Sequence, residues 1–158
     1  MINISKTQKI FGVGLIGITI GLTLCILLWL LDRILHHVEI SSQSRPIRIL
    51  GVVLIAIWVC WHSWCIKAIS QWWRHDQLCT KGPYRIVRHP IYAGGTLLGS
   101  VGVALLFNSW VMLLLPVLMY VAYSILVRNE ETMMAAVFGE EYQRYAAETG
   151  RLFPRIFK

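Results

Sequence analysis

The chain has 158 residues, of which 56% are hydrophobic and only 15% charged. This composition excludes an ordinary soluble domain with one core, because such domains carry about 25% charged residues. The formal net charge of +7 would suit a nucleic-acid partner, but the basic residues are distributed between apolar stretches in the manner of a membrane protein. We therefore predict a small integral membrane protein with a single domain over residues 1–158 and no nucleic-acid partner.

Four apolar stretches are long enough, or nearly so, to cross about 30 Å of hydrocarbon as helices. They are predicted at about residues 10–31, 49–66, 91–107 and 110–127. Lys6 and Lys9 precede the first stretch, as in a secretory signal, but about 22 apolar residues exceed the apolar region of such signals, so a retained helix is expected. The predicted fold class is an all-α integral membrane protein.

The basic residues predict the orientation in the membrane. With four spans, twelve of the fifteen Lys and Arg residues fall on the side of the two termini. Only Arg33, Arg45 and Arg48 fall on the other side. Because cytoplasmic loops carry the excess of basic residues, we expect both termini in the cytoplasm of a bacterial or archaeal cell, next to anionic membrane lipids.

Glycine stripes predict close packing between the spans. Gly14, Gly17 and Gly21 share one face of the first span, and Gly95, Gly99 and Gly102 share one face of the third. Small residues on one stripe let helices approach closely in lipid. The second span carries Trp58, Trp61 and Trp64 along one side; lipid-facing aromatics are the favoured interpretation, and one wall of a substrate passage is the alternative.

The four cysteines predict neither a disulfide framework nor a metal site. They are scattered along the chain, with no Cys-x-x-Cys pair and no His/Cys ligand spacing.

The third and fourth spans are joined by Asn108 and Ser109 alone, which predicts a tight antiparallel hairpin. At 1.5 Å per residue, the outgoing leg from His89 covers about 28 Å and the return leg to Glu130 about 33 Å. The segment "RHPIY" and the Glu130–Glu131 pair are therefore expected at the same depth. Alone, the pair could be solvated charge at a helix end, but together the two segments predict a mixed-charge pocket for a zwitterionic ligand.

The residues after the glutamate pair predict a C-terminal amphipathic helix. Met134, Phe138, Tyr142 and Tyr145 share one helical stripe. The favoured interpretation is a helix lying in the membrane interface, and the alternative is a lid that folds back over the polar cluster.

Two motifs in this order resemble a known family of membrane enzymes. "TKGPYRIVRHPIYAGG" (80–95), a helical hairpin and "EETMMAAVFGEEYQRYAAETGRLFP" (130–154) resemble the isoprenylcysteine carboxyl methyltransferase and phospholipid methyltransferase family over about half of the chain. The resemblance implies transfer of a methyl group from S-adenosylmethionine to a lipophilic acceptor. It places the site on the cytoplasmic side and brings the acceptor laterally from the bilayer.

By motif position, the resemblance also implies the site residues, all within residues 76–154. The implied cofactor-binding residues are Asp76, Gln77, Leu78, Cys79, Tyr84, His89, Pro90, Ile91, Tyr92 and Glu130. Glu131 and Arg128 are the candidate catalytic residues. Carboxylates and aromatic faces suit a sulfonium cation with an amino-acid tail and a ribose diol.

One position departs from the pattern. The carboxyl methyltransferases of the family carry an Arg four residues before the first Glu of the pair, where this chain has Leu126. Arg128 is nearer the pair and on another helix face, and it is the candidate substitute. The methyl acceptor is therefore left open between a carboxylate, an amine and a thiol.

Two other functions compete with this one. A nicotinamide-dependent lipid or sterol reductase carries a similar turn, although such enzymes have Asn where this chain has Ile91 and lack the double Glu. A non-enzymatic four-helix membrane protein would need no Glu pair and His89 at one depth.

Overall fold

A computed structural model describes residues 14–73, 75 and 77–155. In these residues the secondary structure is helical, without a β-strand. Helix α1 spans Gly14–Ile34, α2 spans Ser44–Trp73, α3 spans Pro90–Gly94, α4 spans Ser100–Phe107, α5 spans Leu114–Phe138 and α6 spans Glu140–Glu148. A π-helical turn, Gly95–Gly99, joins α3 to α4, and short 3₁₀ turns cover Gly82–Arg85 and Val111–Leu113.

Four helical segments are long and apolar enough to cross a membrane, as predicted. They are Leu15–Ile34, Ser44–Trp72, Pro90–Phe107 and Val111–Phe138. Residues 10–13 of the predicted first span, and Lys6 and Lys9 before it, lie outside the described residues. The protein is therefore an all-α integral membrane protein.

Several boundaries differ from the prediction. The first span ends at Ile34 instead of 31, and the second covers Ser44–Trp72 instead of 49–66. The fourth runs on to Phe138 instead of ending at 127. The Glu130–Glu131 pair thus lies inside α5, because the sequence supplies no helix breaker until Gly139. At Gly139 the chain takes a positive φ of 53°, a conformation that glycine adopts without steric cost. This break divides the predicted aromatic stripe between α5 and α6.

The spans pack in two layers. The third span, Pro90–Phe107, lies mainly against α2, and α5 lies mainly against α1. Gly51 and Gly102 meet at the first contact: a β-carbon on Gly51 would lie 2.7 Å from the Leu106 nitrogen and 2.8 Å from the Gly102 oxygen. The two glycines bring the backbones together; Gly102 belongs to the predicted stripe of the third span, whereas Gly51 was not predicted. In the second contact, Gly17 faces the ring of Tyr123.

The second-span tryptophans do not all face outward. The indole nitrogen of Trp61 donates a 2.8 Å hydrogen bond to the carbonyl of Pro90, and Trp58 packs on Gly99. Trp64 is 48% exposed. The favoured lipid-facing interpretation therefore fails for Trp58 and Trp61, because the glycines of the third span leave room for indole rings.

The Asn108–Ser109 turn is buried and tied to the connection between α1 and α2. Asn108 takes a left-handed conformation, with φ 53° and ψ 43°, and its amide nitrogen donates to the carbonyl of Ser41 at 2.8 Å. Ser109 donates to Asp32 Oδ1 at 2.6 Å, and His37 Nδ1 lies 2.6 Å from Asp32 Oδ2. This network fixes the end of the bundle opposite to the glutamate pair.

Candidate active site

The candidate site begins at the N-terminus of the third span. Pro90 is the first helical residue, where its missing N–H costs nothing. His89 stands just before it and makes no side-chain capping bond. The imidazole is therefore available for the glutamates of α5.

The hairpin brings the two predicted segments together. Tyr92 Oη donates a 2.8 Å hydrogen bond to Glu130 Oε1. His89 Nδ1 lies 3.4 Å from Glu130 Oε2, and His89 Nε2 lies 3.5 Å from Glu131 Oε1. The side chains of His89, Glu130 and Glu131 are 10%, 16% and 13% exposed, so that a largely desolvated polar cluster forms at one end of the spans.

Glu131 is held by two arginines. Arg88 Nε donates to Glu131 Oε1 at 2.9 Å, and Arg151 lies 2.5 Å from Oε2. Arg88 also donates to the carbonyl oxygens of Ala146, at 2.8 Å, and Thr149. Charge-assisted bonds of this kind are about twice as strong as neutral ones. Arg88 thus connects α5, α6 and the residues that follow α6.

Residues 149–155, here called the C-terminal strap, cover this cluster. The backbone N–H of Arg88 donates to the Gly150 carbonyl at 2.8 Å, and that of His89 donates to the Arg151 carbonyl at 3.1 Å. Tyr145 of α6 donates to the Tyr84 carbonyl at 2.6 Å. The segment after Gly139 therefore folds back over the polar cluster, which is the lid arrangement that the sequence left as the alternative.

An aromatic column leads from the cluster into the spans. The rings of His89 and Tyr92 stack with centroids 5.9 Å apart, and those of Tyr92 and Tyr123 stack at 4.8 Å. Stacked aromatic faces offer a surface for a planar base or a cation.

The remaining predicted site residues lie at different distances from the cluster. Leu78, Cys79 and Tyr84 are buried, and Ile91 is partly buried against the core, whereas Gln77 is exposed. Asp76 lies outside the described residues. Burial raises the pKa of the Cys79 thiol and of the Tyr84 hydroxyl, so both groups stay protonated at neutral pH.

Arg128 does not join the glutamates. Its side chain is exposed and forms no ion pair with any residue that the structure describes. The arginines that meet the pair are Arg88 and Arg151. The sequence placed Arg88, in the "RHPIY" segment, at the depth of the pair without assigning it a role in the site, and it did not assign Arg151 to the site. Arg151 belongs to the family-like segment "TGRLFP". Its position in that segment was the feature of the sequence that could have identified it as a site residue. The catalytic assignment of Arg128 stays a prediction without a contact to support it.

The electrostatics of His89 predict a pH effect on stability. Burial by itself lowers the pKa of His89, but its contacts with Glu130 and Glu131 outweigh that effect and raise the pKa above 6.5. Protonated His89 therefore stabilises the folded state. This stabilisation is complete below pH 6.5, the ordinary pKa of histidine, and it is lost as the pH rises through the raised pKa of the folded protein. We expect the melting temperature in detergent to fall more between pH 6 and 9 for the wild type than for His89→Gln. Equal pH dependence of the two proteins would contradict this expectation.

Fold and site together define a class: a helical membrane protein with a covered, mixed-charge site at one end of its spans. The sequence model of the phospholipid methyltransferase family matches residues 46–141, and the chain belongs to this family. The match includes the "RHPIY" turn and both glutamates and ends inside α6.

Two curated relatives are similar in sequence. The cobalt-zinc-cadmium resistance protein CzcN of Cupriavidus metallidurans is 32% identical over 108 residues, which are 68% of this chain and 49% of the relative. The nickel-cobalt-cadmium resistance protein NccN of Alcaligenes xylosoxydans xylosoxydans is 29% identical over 118 residues, 74% of this chain and 53% of the relative. The chain spans about half the length of these relatives, and no solved structure matches it.

Proposed function

We propose that this protein transfers a methyl group from S-adenosylmethionine to a lipophilic acceptor at the end of the bundle that carries Glu130. The observation that carries the proposal is the contact between the two family-like segments, where Tyr92 donates to Glu130 at 2.8 Å. Family membership supports the reaction class and disfavours the reductase and the non-enzymatic alternative.

The residues present fit the cofactor. S-adenosylmethionine supplies an activated methyl group on a sulfonium cation. Glu130 is placed to accept hydrogen bonds from ammonium or hydroxyl groups, and the faces of Tyr92 and His89 suit a cation or a planar base. His89 Nε2 is buried and lies 3.5 Å from Glu131 Oε1, but it makes no well-aligned hydrogen bond to the described residues. A ligand group at the site would supply one.

The chain's own groups would orient the reactants and exclude water. Glu131 is held by Arg88 and Arg151, so we assign it to fixing the strap over the site. The strap and α6 limit access from the water side, and alignment with water excluded is what transfer of an activated methyl group needs. On the inferred topology, with both termini in the cytoplasm, this covered end faces the cytoplasm.

The names of the two relatives raise metal resistance as a function of those proteins. In the part of this chain that the structure describes, no group of three His, Cys, Asp or Glu side chains is arranged to hold a metal ion.

Titration calorimetry with S-adenosylhomocysteine on the detergent-solubilised protein tests the proposal. We expect one site with a dissociation constant on the order of micromolar, or about −8 kcal/mol, and no heat with NADPH. Incubating a lipid extract with methyl-labelled S-adenosylmethionine should then give a labelled lipid, which identifies the acceptor. Folded protein, checked by circular dichroism, that binds neither form of the cofactor would overturn the proposal.

A further inference from the structure

Several polar groups within the spans have no hydrogen-bond partner among the described residues. They include the indole nitrogen of Trp58 and the hydroxyl of Thr96, both buried. Tyr123 is only 8% exposed, and its hydroxyl lies near the same part of the third span as the Trp58 nitrogen. Each buried polar group without a partner costs about 1–3 kcal/mol, so such groups call for an explanation, and an unseen ligand is one.

The Trp58 nitrogen and the Tyr123 hydroxyl converge on one glycine. A β-carbon on Gly95 would lie 3.8 Å from Tyr123 Oη and 3.9 Å from Trp58 Nε1. These are ordinary van der Waals distances, so the glycine leaves room for about one methyl group between two hydrogen-bond donors. Gly95 also begins the π-helical turn Gly95–Gly99, and π-helical turns inside α-helices are frequent at functional sites.

The glycine is connected to the candidate active site by the aromatic column. Tyr92, which contacts Glu130, stacks on Tyr123 at 4.8 Å between centroids. Gly95 follows Tyr92 by three residues, or about 4.5 Å along the helix axis. A ligand group at Gly95 would therefore lie on the membrane side of the polar cluster, next to it.

We propose that Tyr123 and Trp58 form a subsite at Gly95 for an oxygen atom of the lipophilic acceptor. The inference rests on the proposed function and adds the class of acceptor. An indole N–H can only donate and a tyrosine hydroxyl can donate, so the complementary group is a hydrogen-bond acceptor such as a carboxyl, ester or hydroxyl oxygen. Because the surrounding spans are apolar, the remainder of the ligand is a hydrocarbon chain.

The chain offers a test variant and a matched control on the same turn, at Gly95 and Leu97, and a second test variant on α5, at Tyr123. Gly95→Ala fills the space between the two donors without backbone strain, and Tyr123→Phe removes one donor while keeping the ring stack. Leu97→Ala is the control, because Leu97 is 44% exposed. The probe is palmitic acid carrying a photoactivatable diazirine, and cross-linked peptides are identified by mass spectrometry.

We expect the wild type to be labelled on peptides that contain Trp58 or Gly95. Palmitic acid should compete with the probe, and hexadecane, which lacks the oxygen, should not. Gly95→Ala and Tyr123→Phe should each lower labelling about tenfold, as the loss of one buried hydrogen bond predicts. Leu97→Ala should leave labelling unchanged. Gly95→Ala and Leu97→Ala should both bind S-adenosylhomocysteine like the wild type, because neither residue belongs to the aromatic column.

Two results would overturn the subsite: labelling that is unaffected in both Gly95→Ala and Tyr123→Phe, or equal competition by hexadecane. Failure of the methyltransferase proposal is a distinct outcome. In that case neither the wild type nor any variant would bind S-adenosylhomocysteine. Oxygen-dependent labelling at Gly95 would persist and would support a lipid site.

Discussion

Replacing Glu130 with glutamine is expected to weaken binding of S-adenosylhomocysteine about thirtyfold, since a hydrogen bond to a charged group is worth about 2 kcal/mol. Glutamine keeps the shape of the side chain and still accepts from Tyr92, which donates to Glu130 at 2.8 Å in the native protein. The loss would therefore report the charge of Glu130 and its position beside His89. Titration calorimetry on purified protein measures it directly.

Glu140→Gln is the matched control for this experiment. Glu140 is exposed in the first turn of α6, and the Glu140→Gln variant loses the same charge. Its affinity for S-adenosylhomocysteine should stay within about twofold of the wild type, because exposed surface changes usually have small effects. Equal weakening by the two variants would point to net charge as the cause. Wild-type affinity in a folded Glu130→Gln protein would remove Glu130 from the cofactor site.

The meeting of the two motifs was predictable because helix geometry is regular. Asn108 and Ser109 are too few to let the third and fourth spans separate at the turn, and the rise per residue then fixes the depth of His89 against that of Glu130. The contacts at 3.4 and 3.5 Å from His89 to the glutamates confirm this arithmetic. Local periodicity and length were sufficient, since no information on distant packing was needed.

Arg151, the second partner of Glu131, was not predictable in the same way. Arg151 reaches Glu131 because the chain breaks at Gly139 and the strap returns beside Arg88, with Arg88 N–H bonded to the Gly150 carbonyl. The direction of the chain after a break depends on tertiary contacts that no periodicity encodes. Sequence reasoning chose Arg128 by proximity along the helix, but its face of α5 points away from the pair and is exposed.

The residue at which α5 begins decides how Pro116 affects the helix. In a span beginning at residue 110 this proline would lie well inside the helix and bend it. Since α5 begins at Leu114, Pro116 lies in the first turn, where a missing N–H leaves no broken hydrogen bond. The 3₁₀ turn Val111–Leu113, which the apolar pattern does not distinguish from the helix, accounts for the difference.

Removing the guanidinium in Arg88→Met is expected to lower the free energy of unfolding by about 3 kcal/mol, because breaking a buried ion pair strands the remaining charge. The side chains of Arg88 and Glu131 are only 12% and 13% exposed, so solvent compensates little. The change would also leave the Ala146 and Thr149 carbonyls without their donor. The strap should then detach, and trypsin should cut after Arg144 and Arg151 faster than in the wild type.

Arg85→Met is the control, because Arg85 is exposed and, like Arg88, lies just before helix α3. It should leave both the unfolding free energy and the rate of tryptic cleavage near wild-type values. Arg88→Lys separates charge from shape: lysine keeps the positive charge but cannot bond Glu131 and two carbonyls with one planar group, so we expect an intermediate loss. A strap equally protected in Arg88→Met and the wild type would show that α6 and the Tyr145–Tyr84 bond hold it without Arg88. The assignment of Glu131 to fixing the strap would then fail, and its predicted catalytic role would become the better explanation for its place beside His89.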